Sequence, residues 1–279
     1  MQRREFLASI MATAFVGPQF EESYGWVPGY NSPTLVSYKV AKDSGKGKVA
    51  LLWKAWEKVH GPWKARKQQY YDCVAFAAAA GMDLVNTLTL ESSSSNMIYG
   101  GGREYYAKHK GHGMHGIEAM KWLANYGNLL RKDYGDYDLT KYSKATCKYW
   151  DRHRIPKSLI ARAVKLPKYN TVRSWAQCCD EVAAGNPVLL CSKLSIKDSR
   201  TDKDGFVNNT GNSWLHAMLI AGVDDKSDRK GACVFNSHGA AFGKGPRHLG
   251  NPAGSVWVDS KIINKQLISM GECYSICSK

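Results

Sequence analysis

The chain has 279 residues, 44% of them hydrophobic, and a formal net charge of +15 at pH 7. That length and apolar content suit one large domain or two lobes around a real core. No stretch approaches 18 apolar residues, so no transmembrane helix is expected, and eight cysteines, an even count compatible with disulfides, are not the density of a stapled secreted domain and leave the redox compartment open.

The charge is unevenly placed. Between Lys141 and Arg173 there are ten Lys or Arg residues and a single acid, Asp151. A basic segment over 141–173 suits contact with an anionic polymer or surface, and a solvated basic face explains it equally well. No nucleic-acid-binding motif accompanies it, so no specific nucleic acid is expected.

In chain order, Arg3-Arg4, then Phe6-Leu7 and a short apolar run to residue 16, resemble a twin-arginine export signal, with a helical N-terminal arm as the alternative. Export, a cytoplasmic location and association with a virion all stay open. Residues 17–65 read as an N-terminal extension. It is extended to about residue 48 and helical over Val49 to Trp63, where Leu51, Leu52, Ala55, Trp56 and Val59 recur at helical spacing and Gly61-Pro62 ends the run.

The domain proper spans 66–279. Residues 66–81 run from Arg66-Lys67-Gln68-Gln69 through Asp72-Cys73 into a stretch without a polar side chain. Asp72 is expected to cap a helix that begins at Cys73. The thiol would then stand at the positive end of the helix dipole, where a thiolate is favoured, with a helix buried on every face behind it. The competing reading is a small cysteine filling space in a core.

Ser92 to Ser95 read as a loop, and Gly100-Gly101-Gly102 as a break in regular structure before a helix near Glu104 to Lys108. A glycine-rich loop, Gly111 to Gly116, leads into an amphipathic helix closed by Gly127. His109, His112 and His115 are spaced i, i+3, i+6, which is not the i, i+4 pair of a helical zinc site, and no metal or other cofactor is expected. The segment from Tyr134 to Lys168 shows little periodicity. A helix follows over Val172 to Ala184, then a strand over Val188 to Leu194. Cys191 and Cys233 read as core residues.

His216 to Val223 and Ala232 to Asn236 read as buried strands joined by a polar turn. Paired as a hairpin centred near residue 227 or 228, they bring His216 opposite residue 239, within three positions of Asn236. A cysteine at a helix tip, a histidine at a strand start and an amide beside it are the parts of a thiol acyl-transfer site. Gln68 or Gln69 is the candidate oxyanion donor alongside the Cys73 amide.

The order Gln, Cys, His, Asn resembles the papain family of cysteine peptidases. Cys73-Val-Ala-Phe-Ala is similar to the family's Cys-Trp-Ala-Phe-Ser, His216-Ala-Met-Leu-Ile-Ala-Gly-Val to its His-Ala-Val-x-Val-Val-Gly-Tyr, and Asn236-Ser-His-Gly to its Asn-Ser-Trp-Gly. The segment Gly113 to Gly127 is similar to the one following the family's substrate-binding glycines. The resemblance covers about residues 66–260. It implies an α+β, two-lobed fold, with a helical lobe built on the nucleophile helix, an antiparallel β-rich lobe and an active-site cleft between them. It further implies hydrolysis of peptide or isopeptide bonds through a thioester, with Cys73 as nucleophile, His216 as base, Asn236 orienting the ring and Gln68 as oxyanion donor. Gly113, Met114 and Leu215 would border a polypeptide substrate.

Val74 and His238 stand where the family has tryptophan, and the family's cysteine shortly before the nucleophile is missing. No long inhibitory leader is expected ahead of the domain. These departures suggest a divergent bacterial or phage-type member, and His238 is expected to admit water and to compete for Asn236. They also sustain two other readings: a papain-like structural or binding module, virion-associated for instance, and a peptidoglycan amidase or endopeptidase.

Overall fold

The computed structural model describes residues 22–23, 25–27, 46–86, 92–105, 111–165, 168–270 and 272–277. The expected export signal at 1–16 lies outside them, as do His109 and residues 106–108 of the helix expected near Glu104.

The N-terminal half is mainly helical. A short strand β1 (Glu22–Ser23) and a second, β2 (Val49–Leu51), precede α1 (Leu52–His60), α2 (Cys73–Val85), α3 (Ser95–Tyr105), α4 (Gly116–Asn125), α5 (Lys144–Trp150) and α6 (Lys157–Ile160). The remainder holds β3 (Lys168–Thr171), α7 (Trp175–Ala183), β4 (Val188–Ser192), β5 (Ser195–Ile196), β6 (Thr210–Gly211), β7 (Trp214–Asp224), β8 (Gly231–Phe235), β9 (Ser255–Asp259), α8 (Ser260–Met270) and β10 (Cys273–Cys277). The main sheet runs β3-β10-β4-β7-β8-β9 with every neighbouring pair antiparallel, and β1 and β2 both add to β7. This is the expected α+β architecture.

The sheet is sandwiched, and β7 shows why its run of residues carries no polar interruption. Ala217, Leu219 and Ala221 face the cluster built by α2, α3 and α4, while Met218 and Ile220 face the cluster under α7 and α8. A strand covered on both faces reads as a continuous apolar run. A bulge between Ile220 and Gly222 then reverses the alternation, so Val223 joins the second cluster. The hairpin has the expected turn: Val223 pairs with Ala232 and Asp224 with Gly231. Beyond the bulge Leu219 pairs with Phe235, which carries the register one residue back and places His216 level with 238 rather than 239.

Helix α2 is buried from Cys73 to Leu84, as its composition predicts. Its one internal carboxylate, Asp83, is held by the Arg66 guanidinium and accepts from the Ser93 backbone N–H at 2.7 Å.

Three expectations change. Val49–Leu51 is a strand paired with β7, so the first helix starts only at Leu52. The basic middle segment contains two short helices, α5 and α6. Gly100-Gly101-Gly102 does not break structure but lies inside α3. Glycine costs a helix about 1 kcal/mol relative to alanine, and here close packing offsets it. A Cβ at Gly100 would sit 2.5 Å from the Trp150 side chain, at Gly101 2.1 Å from the Trp122 ring, and at Gly102 2.3 Å from the Met114 side chain.

Candidate active site

Asp72 and Cys73 stand where the chain turns into α2. Asp72 occupies the N-cap position but makes no side-chain cap bond. Its Oδ2 accepts from the Cys147 thiol of α5 at 3.3 Å, and the Tyr142 hydroxyl is a further donor. Packing against α5 therefore replaces the expected helix cap with side-chain donors. The carboxyl is fully buried, and loss of water raises its pKa from 3.8 to about 6.

The Cys73 thiol is also fully buried. The backbone N–H of Ala217 on β7 donates to Sγ at 3.3 Å, and the amides of Val74 and Trp26 also bond it. Desolvation outweighs these donors and pushes the thiol well above its ordinary value, with the Asp72 charge adding to the rise. In this closed state the helix terminus does not yield the expected thiolate, because the dipole acts over one turn while burial removes all water.

His216 precedes Ala217 on β7, so the strand that touches the thiol also carries the imidazole. Its Nε2 lies 2.8 Å from Asn236 Oδ1. The Ser237 backbone N–H donates to the same atom at 2.7 Å, which identifies it as the amide oxygen. Nε2 therefore bears the proton, and Nδ1 is the basic nitrogen of the ring. The imidazole pKa is lowered from 6.5 to about 3, mainly by burial and secondarily by His238, with the Asn236 bond opposing both.

The His238 ring stacks on His216 with centroids 5.0 Å apart, and Trp214 flanks both rings at 6.0 and 5.6 Å. His238 Nδ1 is 3.5 Å from Asn236 Nδ2. Asn236 is thus divided rather than contested: its oxygen serves His216 and its nitrogen faces His238. Asn236 itself is largely buried, 7% exposed. Trp214, which the sequence did not single out, supplies the aromatic wall.

Gln68 is tied to the same corner. Its backbone N–H donates to Ser237 O at 2.9 Å, its Oε1 accepts from the Ser237 hydroxyl, and its Nε2 donates to Tyr70 O at 2.8 Å. Gln69 is exposed, and its backbone N–H meets the Tyr142 hydroxyl at 3.3 Å. Of the two glutamines, Gln68 is the one brought beside Asn236.

Gly113, Met114 and Leu215 are contacted by the chain's own residues 22–23 and 25–27. The Met114 N–H donates to Gly25 O at 2.8 Å and the Val27 N–H donates to Met114 O at 3.0 Å. Strand β1 runs parallel to Trp214–Leu215, pairing Ser23 with Leu215. Gly113 has φ +90°, and a Cβ there would fall 2.6 Å from Gly25 O, so only glycine permits this approach. Trp26 is 1% exposed and donates its indole N–H to Glu272 Oε2 at 2.6 Å. Residues 25–27 thus pair with Met114, and the Trp26 amide bonds the Cys73 thiol. Neither Trp26 nor Glu272 carries a local motif; one lies in an aperiodic lead-in and the other just before the last strand.

Elsewhere, His112 Nδ1 meets Tyr70 Oη at 2.9 Å and Asp151 Oδ2 at 3.0 Å, while His115 starts α4. Among the described residues no three His, Cys, Asp or Glu side chains converge as a metal site. All eight cysteines are free and buried, including Cys191 and Cys233 as expected.

Neither a family model nor a curated protein matches the chain. Solved structures do. Xylellain, a cysteine protease from Xylella fastidiosa, superimposes with TM-score 0.65 at 18% identity, covering 92% of this chain and 96% of its own. Digestive procathepsin L 3 of Tenebrio molitor larval midgut gives 0.58 at 13% identity, over 87% and 74% of the two chains. The proform of the ragweed pollen cysteine protease Amb a 11 gives 0.56 at 16%, over 90% and 70%. At these identities the likeness is one of fold, and the fold is papain-like.

Proposed function

We propose that this papain-like fold carries a cysteine peptidase that hydrolyses peptide or isopeptide bonds through a thioester. The reading rests above all on one arrangement: β7 supplies the Ala217 N–H to the Cys73 thiol and, one residue earlier, the imidazole whose Nε2–H is fixed by the Asn236 amide oxygen.

In this reaction the Cys73 thiol gives its proton to His216 Nδ1 as sulfur attacks the substrate carbonyl carbon. Gln68 Nε2–H and the Cys73 backbone N–H receive the resulting oxyanion. Collapse expels the amine, which takes the proton from His216 and leaves a thioester on Cys73. Water, deprotonated by His216, then releases the acid and restores the thiol. Asn236 holds the ring in one tautomer throughout. In the form with residues 25–27 seated on the site, thiol and imidazole form a neutral pair, because burial raises one pKa and lowers the other. Displacement of that segment readmits water and lets the pair ionise.

The test is hydrolysis of an unstructured polypeptide by the full chain and by its Trp26→Ala form. Cleavage should vanish in Cys73→Ala and fall about a thousandfold or more in His216→Ala. A protein that cleaves nothing, and whose Cys73 is alkylated by iodoacetamide only near the ordinary thiol pKa of about 8.5 whether or not His216 is present, would be a binding scaffold instead.

A further inference from the structure

The basic middle segment has no part in the chemistry above, yet α5 brings it to the site. A cavity of about 750 Å³ is lined by Gln68 and His238 of the candidate site. Lys144, Lys148 and Arg152 line the same cavity. Lys144 and Lys148 are one turn apart on α5, so their ammonium groups share a face, and Arg152 follows in the turn after Trp150. No acidic residue lines this cavity.

The nearest acid on this element, Asp151, is already engaged. Its carboxylate accepts from Arg103 Nε at 2.6 Å, meets His112 at 3.0 Å and accepts from the Tyr70 hydroxyl at 3.3 Å. The other carboxylate packed against α5, Asp72, is buried on Cys147. Among the described residues, Lys144, Lys148 and Arg152 enter no ion pair. Beyond His238 a second cavity of about 700 Å³ continues the basic lining with Lys197 and Lys244, although Arg200 there is paired with Asp198 at 2.7 Å. Two basic cavities meeting at His238 have the form of a groove for an extended chain.

Given the peptidase reading, we infer that this groove selects polypeptides with Asp or Glu side chains close to the scissile bond, and that Lys144, Lys148 and Arg152 determine that specificity. Carboxylates of such a substrate would supply the counter-charges that this wall lacks.

A set of fluorogenic peptides differing only in acidic, neutral or basic flanking residues tests this, with the parent compared to Lys144→Glu/Lys148→Glu/Arg152→Glu and to the Gln equivalent. The parent should show an acidic-to-neutral ratio of kcat/KM of about tenfold, collapsing in both variants and at about 1 M salt. A parent that cleaves acidic and neutral peptides alike, or a preference that survives the triple substitution, overturns the inference and leaves the peptidase reading standing. If no peptide is cleaved by the parent or by its Trp26→Ala form, that reading fails separately, and binding of a labelled acidic peptide to Cys73→Ala protein decides. Binding weakened about tenfold by the triple substitution supports the basic groove, and equal binding overturns it.

Discussion

Trp26 gives its indole N–H to Glu272 at 2.6 Å, with both residues buried, and so ties the N-terminal segment to the start of the last strand across the candidate site. The Trp26 backbone amide reaches Cys73 from the same position. A single side chain therefore anchors the segment that keeps water from the thiol.

Trp26→Ala should expose the nucleophile. Removing the ring takes away the anchor, while the Gly25 and Val27 backbone bonds to Met114 alone are worth about 1 kcal/mol each. Alkylation of Cys73 by iodoacetamide should then accelerate by about tenfold or more, because local opening governs access. Cys178 and Cys179, free and buried in the second hydrophobic cluster, serve as internal controls by mass spectrometry. An unchanged rate at Cys73 would show that Trp26 does not gate the site.

Asp72→Asn should stabilise the protein, and only above a definite pH. The folded pKa of Asp72, about 6, lies above its ordinary 3.8, so its charge opposes folding above pH 6, and the opposition fades as pH falls through 6 towards 3.8. Asparagine keeps an acceptor for Cys147 and Tyr142 without the charge. Urea unfolding should show the variant more stable by about 2 to 3 kcal/mol at pH 7.5 and equal to the parent below pH 4. The Cys73 thiol pKa should fall in the same variant, since the Asp72 charge contributes to raising it. A variant less stable than the parent at pH 7.5 would mean that the carboxylate's hydrogen bonds outweigh its desolvation.

What the sequence made legible was whatever repeats at a fixed period or closes over a short span. Cys73 to Met82 carries no charged side chain, and it is buried at every position. The turn between Asp224 and Gly231 sets the hairpin, and the hairpin sets His216 beside Asn236. Features made by distant segments left no such trace. Asp72 has the residue type of a cap, but Cys147 and Tyr142 take its oxygens, and nothing near residue 72 announces them. Trp26 and Glu272 meet only because the two ends of the chain converge on one site. Gly100 to Gly102 misled because glycine is punctuation in an isolated segment and spacing in a packed one.

Gly101→Ala tests that last distinction. An alanine improves intrinsic helix propensity by about 1 kcal/mol, which would favour the variant if α3 were exposed. Its Cβ would instead fall 2.1 Å from the buried Trp122 ring, so α3 and α4 must separate. Thermal unfolding should show a net loss of about 1 to 3 kcal/mol, as overpacked cores do. A stabilised variant would contradict the α3–α4 packing.

His238→Phe should raise the pKa of His216. A phenyl ring preserves the stack on His216 and the aromatic contacts with Trp214 and Phe242, while removing the titratable neighbour whose electrostatic effect lowers the imidazole pKa. The sign for stability follows from linkage. With a folded pKa near 3 against 6.5, His216 contributes stability that is complete above pH 6.5 and is lost as pH falls towards 3. In the variant that loss should be smaller between pH 6.5 and 4, and the His216 ring protons should titrate at higher pH by NMR. Desolvation, the largest cause of the shift, is untouched, so the value should stay below 6.5. A titration identical to the parent's would mean that burial alone holds the imidazole neutral and that His238 acts on Asn236, not on the ring it covers.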